Sequence, residues 1–206
     1  MKVLAVVLIC VALVAPLSSQ EMKPSCRQCS ATYIGHEEIE AYFQRAPSRV
    51  VNSVADQQVR AVDIGKGHAA IGVVYRDGVQ AEGSAVAEHD LVSEVYYILD
   101  GHGTLVTGPD IVGWKPRPAT NENVRLLNGP GGNGSGIRNG ATYELKPGDV
   151  VVIPAGVGHW FTKVDGHLRY LMVRIDPDKV TPVKDEAASK ADLAKPLAPD
   201  HKENAP

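Results

Sequence analysis

The chain has 206 residues, of which 44% are apolar and 22% charged, a composition typical of globular proteins. This length predicts one domain with its own hydrophobic core, because three cysteines are too few to hold a disulfide scaffold. The formal net charge is -3, and no cluster of Lys and Arg stands out. Nucleic acid and anionic membrane surfaces are therefore excluded as expected partners.

The first segment, residues 1–19, has the pattern of a cleaved signal peptide. One lysine precedes an unbroken apolar run from Val3 to Ala15, and small and polar residues follow it. The run is shorter than the roughly 20 residues that span a bilayer, but it has the length of a signal-peptide core. We expect cleavage after Ser19 and a secreted or periplasmic protein without a membrane anchor. A buried N-terminal strand is the alternative.

Residues 20–58 predict an N-terminal segment with a Cys-x-x-Cys motif and one helix. In an oxidising compartment, Cys26 and Cys29 are expected to form a local disulfide. A redox motif is the alternative, but such a motif follows a buried strand, whereas a polar terminal segment precedes this one. Acidic residues and apolar spacing over 35–45 predict the helix, which Pro47 ends.

Residues 59–178 predict an all-β domain, because short runs rich in Val, Ile, Tyr and Thr alternate there with Gly, Pro, Asn and Asp. Many short strands with one helix indicate a sandwich or a barrel. The glycine-rich stretch 128–136 predicts a loop, and residues 179–206 predict a flexible tail without a core. The predicted strands are 60–63, 69–75, 84–89, 94–99, 103–107, 124–127, 141–145, 149–153, 159–163 and 168–175.

Two separate blocks carry the pattern that points to a family. The first runs from Gly83 to Gly101 and contains His89 and Glu94; the second runs from Pro147 to Phe161 and contains His159. Both resemble the two sequence motifs of the cupin superfamily. In the second block, Gly148, Pro154, Gly156 and His159 have the spacing of that family throughout: PGDVVVIPAGVGH.

This resemblance implies a small jelly-roll β-barrel with a short N-terminal helix and a metal in its mouth. The family's ligands would correspond here to His89, Glu94 and His159. Ala87 stands where the family has a further histidine, so one usual ligand is missing. His68, in a strand-like segment, is a candidate for a fourth ligand. His102, in a Gly-His-Gly turn, is expected to be solvated.

The side-chain alternation of β-strands points to the same residues. It places Ala87 and His89 on one face of their strand, and Glu94 and Tyr96 on one face of the next. Two histidines and one carboxylate form an open zinc site or the facial triad of non-haem iron enzymes. The alternative is that these side chains only hydrogen-bond one another. Tyr96 is the candidate catalytic donor or acid, unless it is plain core.

The sequence therefore predicts a secreted metal-binding cupin that acts on or captures a small molecule at the barrel mouth. It would hold one divalent metal ion, with Zn, Fe, Mn and Ni not distinguished, and an enzyme of this kind would be an oxygenase, isomerase or lyase. The alternative is a metal-free module that binds a sugar or an organic acid. The oligomeric state stays open, with a homodimer among the alternatives.

Overall fold

The computed structural model describes residues 23–26, 29–78 and 86–196. The predicted signal peptide lies outside them. Two α-helices, α1 (His36–Arg45) and α2 (Glu186–Ala194), flank the β-strands. The strands are β1 (Val54–Asp63), β2 (His68–Asp77), β3 (Val86–His89), β4 (Ser93–Gly108), β5 (Ile111–Val112), β6 (Lys115–Pro116), β7 (Gly131–Gly134), β8 (Gly136–Ile137), β9 (Ala141–Leu145), β10 (Val150–Ile153) and β11 (Gly158–Asp176).

The strands form the predicted jelly-roll, and the all-β fold class is confirmed. Within the described residues, nine strands build one antiparallel sheet with the order β1-β2-β11-β3-β7-β6, and β4 links β11 to β9 and β10. The long β11 is central, because it pairs with β2, β3 and β4. The short strands β5 and β8 pair separately.

A buried aromatic and aliphatic cluster fills the barrel. β4 supplies Tyr96 and Ile98 in the predicted alternation and, after the buried positions change from even to odd numbers, Leu105. β11 contributes every second residue as well, from Leu168 to Met172. Burying such side chains stabilises the fold by about 1.5–3 kcal/mol each, so the alternation of these two strands holds the barrel together.

The predicted N-terminal helix is α1, and it packs against β1 and β2. Tyr42 and Phe43 point from the helix into a second apolar cluster with Val59 and Val73 of β1 and β2. Before the helix, Cys26 and Cys29 are joined by the expected local disulfide. No helix in the described part of the chain is both long and apolar enough to cross a membrane.

Two predicted elements around residue 130 are wrong. Residues 124–127 form no strand but part of a π-helical turn, Val124–Asn128. Its start is fixed by Asn121, whose side-chain oxygen accepts hydrogen bonds from the N–H groups of Asn123 and Val124. Such local bonds outcompete a strand ladder. The glycine-rich stretch contains β7, which pairs with β3, so it is not only a loop.

The predicted flexible tail is wrong for residues 179–196. Lys184 pairs with Ala61 through two backbone hydrogen bonds, and α2 begins at the N-cap Asp185, which accepts from the Ala188 N–H. The Ser189 side chain is fully buried and donates to the Val59 carbonyl. Composition predicts disorder here because the segment has few apolar residues, but individual polar contacts anchor it to β1.

Four predicted strands are merged into two. The predicted strands 94–99 and 103–107 are both parts of β4, and 159–163 and 168–175 are both parts of β11. The residues between these predicted strands form no turn that ends a strand; instead, the pairing of β4 with β11 shifts its register there. Gly101, with a φ of 82°, has no room for a Cβ atom, because such an atom would lie 2.0 Å from the His167 carbonyl oxygen.

Candidate metal centre in the barrel

Three strands bring His89, Glu94 and His159 together inside the barrel. His89 ends β3, Glu94 is the second residue of β4, and His159 is the second residue of β11. All three are buried, and their ligand atoms lie within 4.8 Å of one another. His89 Nε2 is 3.4 Å from Glu94 Oε1, and His159 Nε2 is 3.6 Å from Glu94 Oε2.

This spacing fits a metal ion. Donors at about 2.1 Å from a tetrahedral or octahedral ion lie roughly 3.0–3.5 Å from each other. The Nδ1 atom of His159 is 3.3 Å from the Val157 carbonyl, which places the proton on Nδ1 and leaves the Nε2 lone pair for a ligand bond. A backbone carbonyl on the second ring nitrogen is the usual support of a metal-ligating histidine.

His89 is held differently. Its Nδ1 atom lies 3.4 Å from Arg117 Nη1, and a guanidinium can only donate. This contact favours the tautomer with its proton on Nε2, which then donates to Glu94. Coordination of a metal through His89 Nε2 therefore requires the other tautomer and a movement of Arg117 away from the ring.

Glu94 is a buried carboxylate with partners on both oxygens. It is 2% exposed; Arg174 Nε lies 3.3 Å from Oε1, and the Tyr96 hydroxyl donates to Oε2 over 2.7 Å. Burial alone would raise the pKa of Glu94, but the attraction of His89, His159 and Arg174 outweighs it and holds the pKa well below its usual range. Arg174 is charged at any pH, so Glu94 is ionised at neutral pH.

For the groups around the carboxylate, burial prevails and favours the neutral form. It lowers the pKa of His159 to about 4, because the imidazolium would be poorly solvated. It raises the pKa of Tyr96 well above its usual range, and the neighbouring Glu94 adds to this shift. At neutral pH, His159 is therefore a neutral ligand and Tyr96 a protonated hydrogen-bond donor.

The cluster borders a cavity of about 820 Å³. Ala87 lies in register with His159 and lines this cavity, so a family histidine at position 87 would add a donor beside the other three. Arg76, Arg117 and Asn133 also line it. The site is thus a polar, partly charged cavity with room for a small molecule.

The remaining histidine candidates lie elsewhere. His68 is buried at the start of β2, where its Nδ1 lies 2.8 Å from the Thr181 carbonyl, and it is not among the clustered donors of the described residues. The structure therefore does not bring it in as a fourth ligand. His102 is exposed, as expected.

The sequence did not predict the two arginines that contact the His-Glu-His cluster, Arg117 and Arg174. The burial of Arg174 could have been predicted from the sequence, because the inward alternation of Leu168, Tyr170 and Met172 continues to position 174. No sequence pattern indicates the position of Arg117, because it lies between two prolines in an irregular segment.

The jelly-roll fold and the His-Glu-His cluster agree with the resemblance to cupins that the two sequence motifs carry. Residues 131–197 match the family described as the AraC-like ligand binding domain. The match is about a third of the chain, and it includes His159 but neither His89 nor Glu94. No curated protein matches the chain significantly.

Solved structures of low sequence identity are also similar. A Bacillus halodurans protein is 16% identical, with 78% of this chain and 95% of that chain covered and a TM-score of 0.38. A DMSP lyase from Ruegeria pomeroyi is 19% identical, with 64% and 51% covered and a TM-score of 0.37. A cupin protein from Bacteroides fragilis is 17% identical, with 53% and 66% covered and a TM-score of 0.33.

Proposed function

We propose that this protein is a metal-binding cupin that captures or acts on a small molecule in the barrel cavity. His89, Glu94 and His159 would hold one divalent ion. The observation that carries this proposal is the approach of their three donor atoms to within 4.8 Å of one another, next to a cavity of about 820 Å³. Buried titratable groups in a cavity are typical of functional sites.

The chain's own residues define what such a site can do. Two imidazoles and one carboxylate leave coordination positions open, and a bound ion there would supply Lewis acidity or activate oxygen. Tyr96 holds its proton at neutral pH, and its one hydroxyl hydrogen is donated to Glu94, which positions that carboxylate. We propose that Tyr96 offers a hydrogen bond or a proton to the ligand when this bond to Glu94 is exchanged for one to the ligand. The reaction class, oxygenase, isomerase or lyase, stays open.

Metal analysis of purified protein tests this function. His159→Ala should remove most of the bound metal after dialysis, whereas His102→Ala, an exposed histidine outside the cluster, should leave the stoichiometry unchanged. Ala87→His should tighten Zn²⁺ binding, since it adds a donor in register with His159. Wild-type protein that binds no divalent metal at neutral pH would exclude the proposal.

A metal-free binding module is the second candidate. The contact between Arg117 and His89 Nδ1 supports it, because that tautomer suits a His89–Glu94 hydrogen bond rather than coordination. In this case a sugar or an organic acid would form hydrogen bonds with the polar side chains that line the cavity. Ligand affinity that is the same before and after chelation of metal would favour this candidate.

We also propose that the protein is exported, because residues 1–19 have the composition and order of a signal peptide. The intact mass of the protein from its native host tests this. A mature N-terminus at Gln20 is expected, and a retained leader would exclude it.

A further inference from the structure

The cavity is lined by charged side chains of both signs. Among the described residues, the charged groups that line it are Arg49, Arg76, Arg117, Asp56, Glu94 and Glu122. The buried Arg174 contacts both Asp56 and Glu94. The lining thus carries three positive and three negative charges, and Arg174 is paired with two of the three carboxylates, Asp56 and Glu94. A bound dication would add positive charge to this lining.

Arg117 is held in place by the protein. Its Nε donates to Asn133 Oδ1 over 2.6 Å, Nη2 donates to the Gly132 carbonyl over 2.9 Å, and Nη1 faces His89. A guanidinium has five N–H bonds, so these three contacts leave two for another acceptor. An anchored guanidinium loses little side-chain entropy when a ligand binds, which favours tight recognition.

Arg76 is the second anchored cation of the cavity wall. Its Nε donates to the Tyr170 hydroxyl over 3.1 Å, and its guanidinium carbon lies 4.0 Å from the centre of the Phe161 ring. Both contacts hold the planar group without neutralising it, because neither partner is an anion. Arg76 is therefore available to pair with a negatively charged ligand.

Asn128 adds an unsatisfied polar group to the lining of the cavity. It is 8% exposed, it lines the cavity, and its side-chain oxygen has no hydrogen-bond partner among the described residues. It ends the π-helical turn, an irregularity that is frequent at functional sites. A buried amide oxygen without a donor is costly, so a ligand that brings a hydroxyl or N–H group within reach of Asn128 Oδ1 would stabilise this arrangement.

We propose that the ligand of the cavity is a small organic carboxylate, held by the guanidinium groups of Arg117 and Arg76. Arginine presents planar paired donors that match a carboxylate, and charge-assisted bonds of this kind are stronger than neutral ones. This inference rests on the proposed function only in placing the small molecule in this cavity, and it does not require the metal.

The test compares carboxylates with their neutral amides. Acetate, succinate and glucuronate are titrated by calorimetry against acetamide, succinamide and glucuronamide, with protein freed of metal by EDTA and with Zn²⁺-loaded protein. At least one acid should bind tenfold more tightly than its amide in both states. Arg117→Gln and Arg76→Gln should each reduce that affinity about tenfold, whereas the exposed Arg138→Gln should leave it unchanged.

The outcomes separate this inference from the proposed function. Carboxylate binding by a protein that fails to take up Zn²⁺ when it is supplied supports the inference and excludes the metal centre. Metal binding without any preference for an acid over its amide overturns the inference and leaves the metal centre standing. If Arg117→Gln fails to fold, Arg76→Gln decides, and an unchanged affinity in that variant overturns the role of the arginines.

Discussion

Replacement of Arg174 by Met tests how the buried charge of the site is balanced. The Arg174 side chain is 1% exposed and contacts Glu94, Asp56 and Gln58. Methionine keeps much of the packing volume but leaves the buried Glu94 and the three-quarters buried Asp56 without their cation. Loss of one partner of a buried ion pair costs about 3–5 kcal/mol, so we expect Arg174→Met to reduce the free energy of unfolding by that amount.

Urea unfolding at pH 7, monitored by circular dichroism on metal-free protein, measures this effect. Arg138→Met is the matched control, because Arg138 pairs with Asp110 on the surface and both side chains are about half exposed or more. An exposed pair contributes little, and the control should change stability by less than about 1 kcal/mol. A similarly small loss for Arg174→Met would refute the conclusion that Glu94 depends on this guanidinium.

Three further predictions concern the edges of the site. A chain that ends at Asp178 should have a melting temperature roughly 10 °C below that of the full chain. It loses several hydrogen bonds, about 1 kcal/mol each, that anchor residues 179–196. An unchanged melting temperature would contradict the anchoring. The pKa of His159 is lowered from 6.5 to about 4 by burial, so the metal-free protein should lose up to about 3 kcal/mol as the pH falls through that window, since the unfolded chain takes up the proton first. His159→Gln should show a shallower pH dependence of urea stability, and equal slopes would exclude a neutral buried imidazole. Gly131→Ala should lower the melting temperature, because the new Cβ would lie 2.2 Å from the Glu88 carbonyl oxygen. Gly136→Ala is the control and should not lower it, because there is open space at that position. Equal melting temperatures of the two variants would refute the close approach of β7 to β3.

The part of the site that could be predicted from sequence follows from short-range rules. His89 and Glu94 lie five residues apart across one turn, and the period of two in β4 turns Glu94 and Tyr96 inward with Ile98. The second motif places His159 at the start of β11 by spacing alone. These regularities depend on neighbouring residues, so they are visible without any knowledge of long-range pairing.

The elements that could not be predicted depend on contacts between distant segments. β7 contains three glycines, a composition typical of loops, but it lies so close to β3 and β6 that a side chain at 131 or 132 would collide with the backbone or with Trp114. Glycine is needed there because of the neighbours, and the sequence of β7 itself does not reveal them. The same holds for Lys184, whose pairing with Ala61 joins segments more than a hundred residues apart.

Arg174 shows that a motif accounts for the ligands but not for the charge that they require. A buried carboxylate at position 94 costs free energy unless a cation faces it, and neither cupin motif contains that cation. The cation comes from β11, where the alternation that buries Tyr170 and Met172 also points residue 174 inward, in register with Glu94. A charged residue at an inward position of a core strand is therefore a signal of a buried partner of opposite charge, and here that partner is the carboxylate of the candidate metal centre.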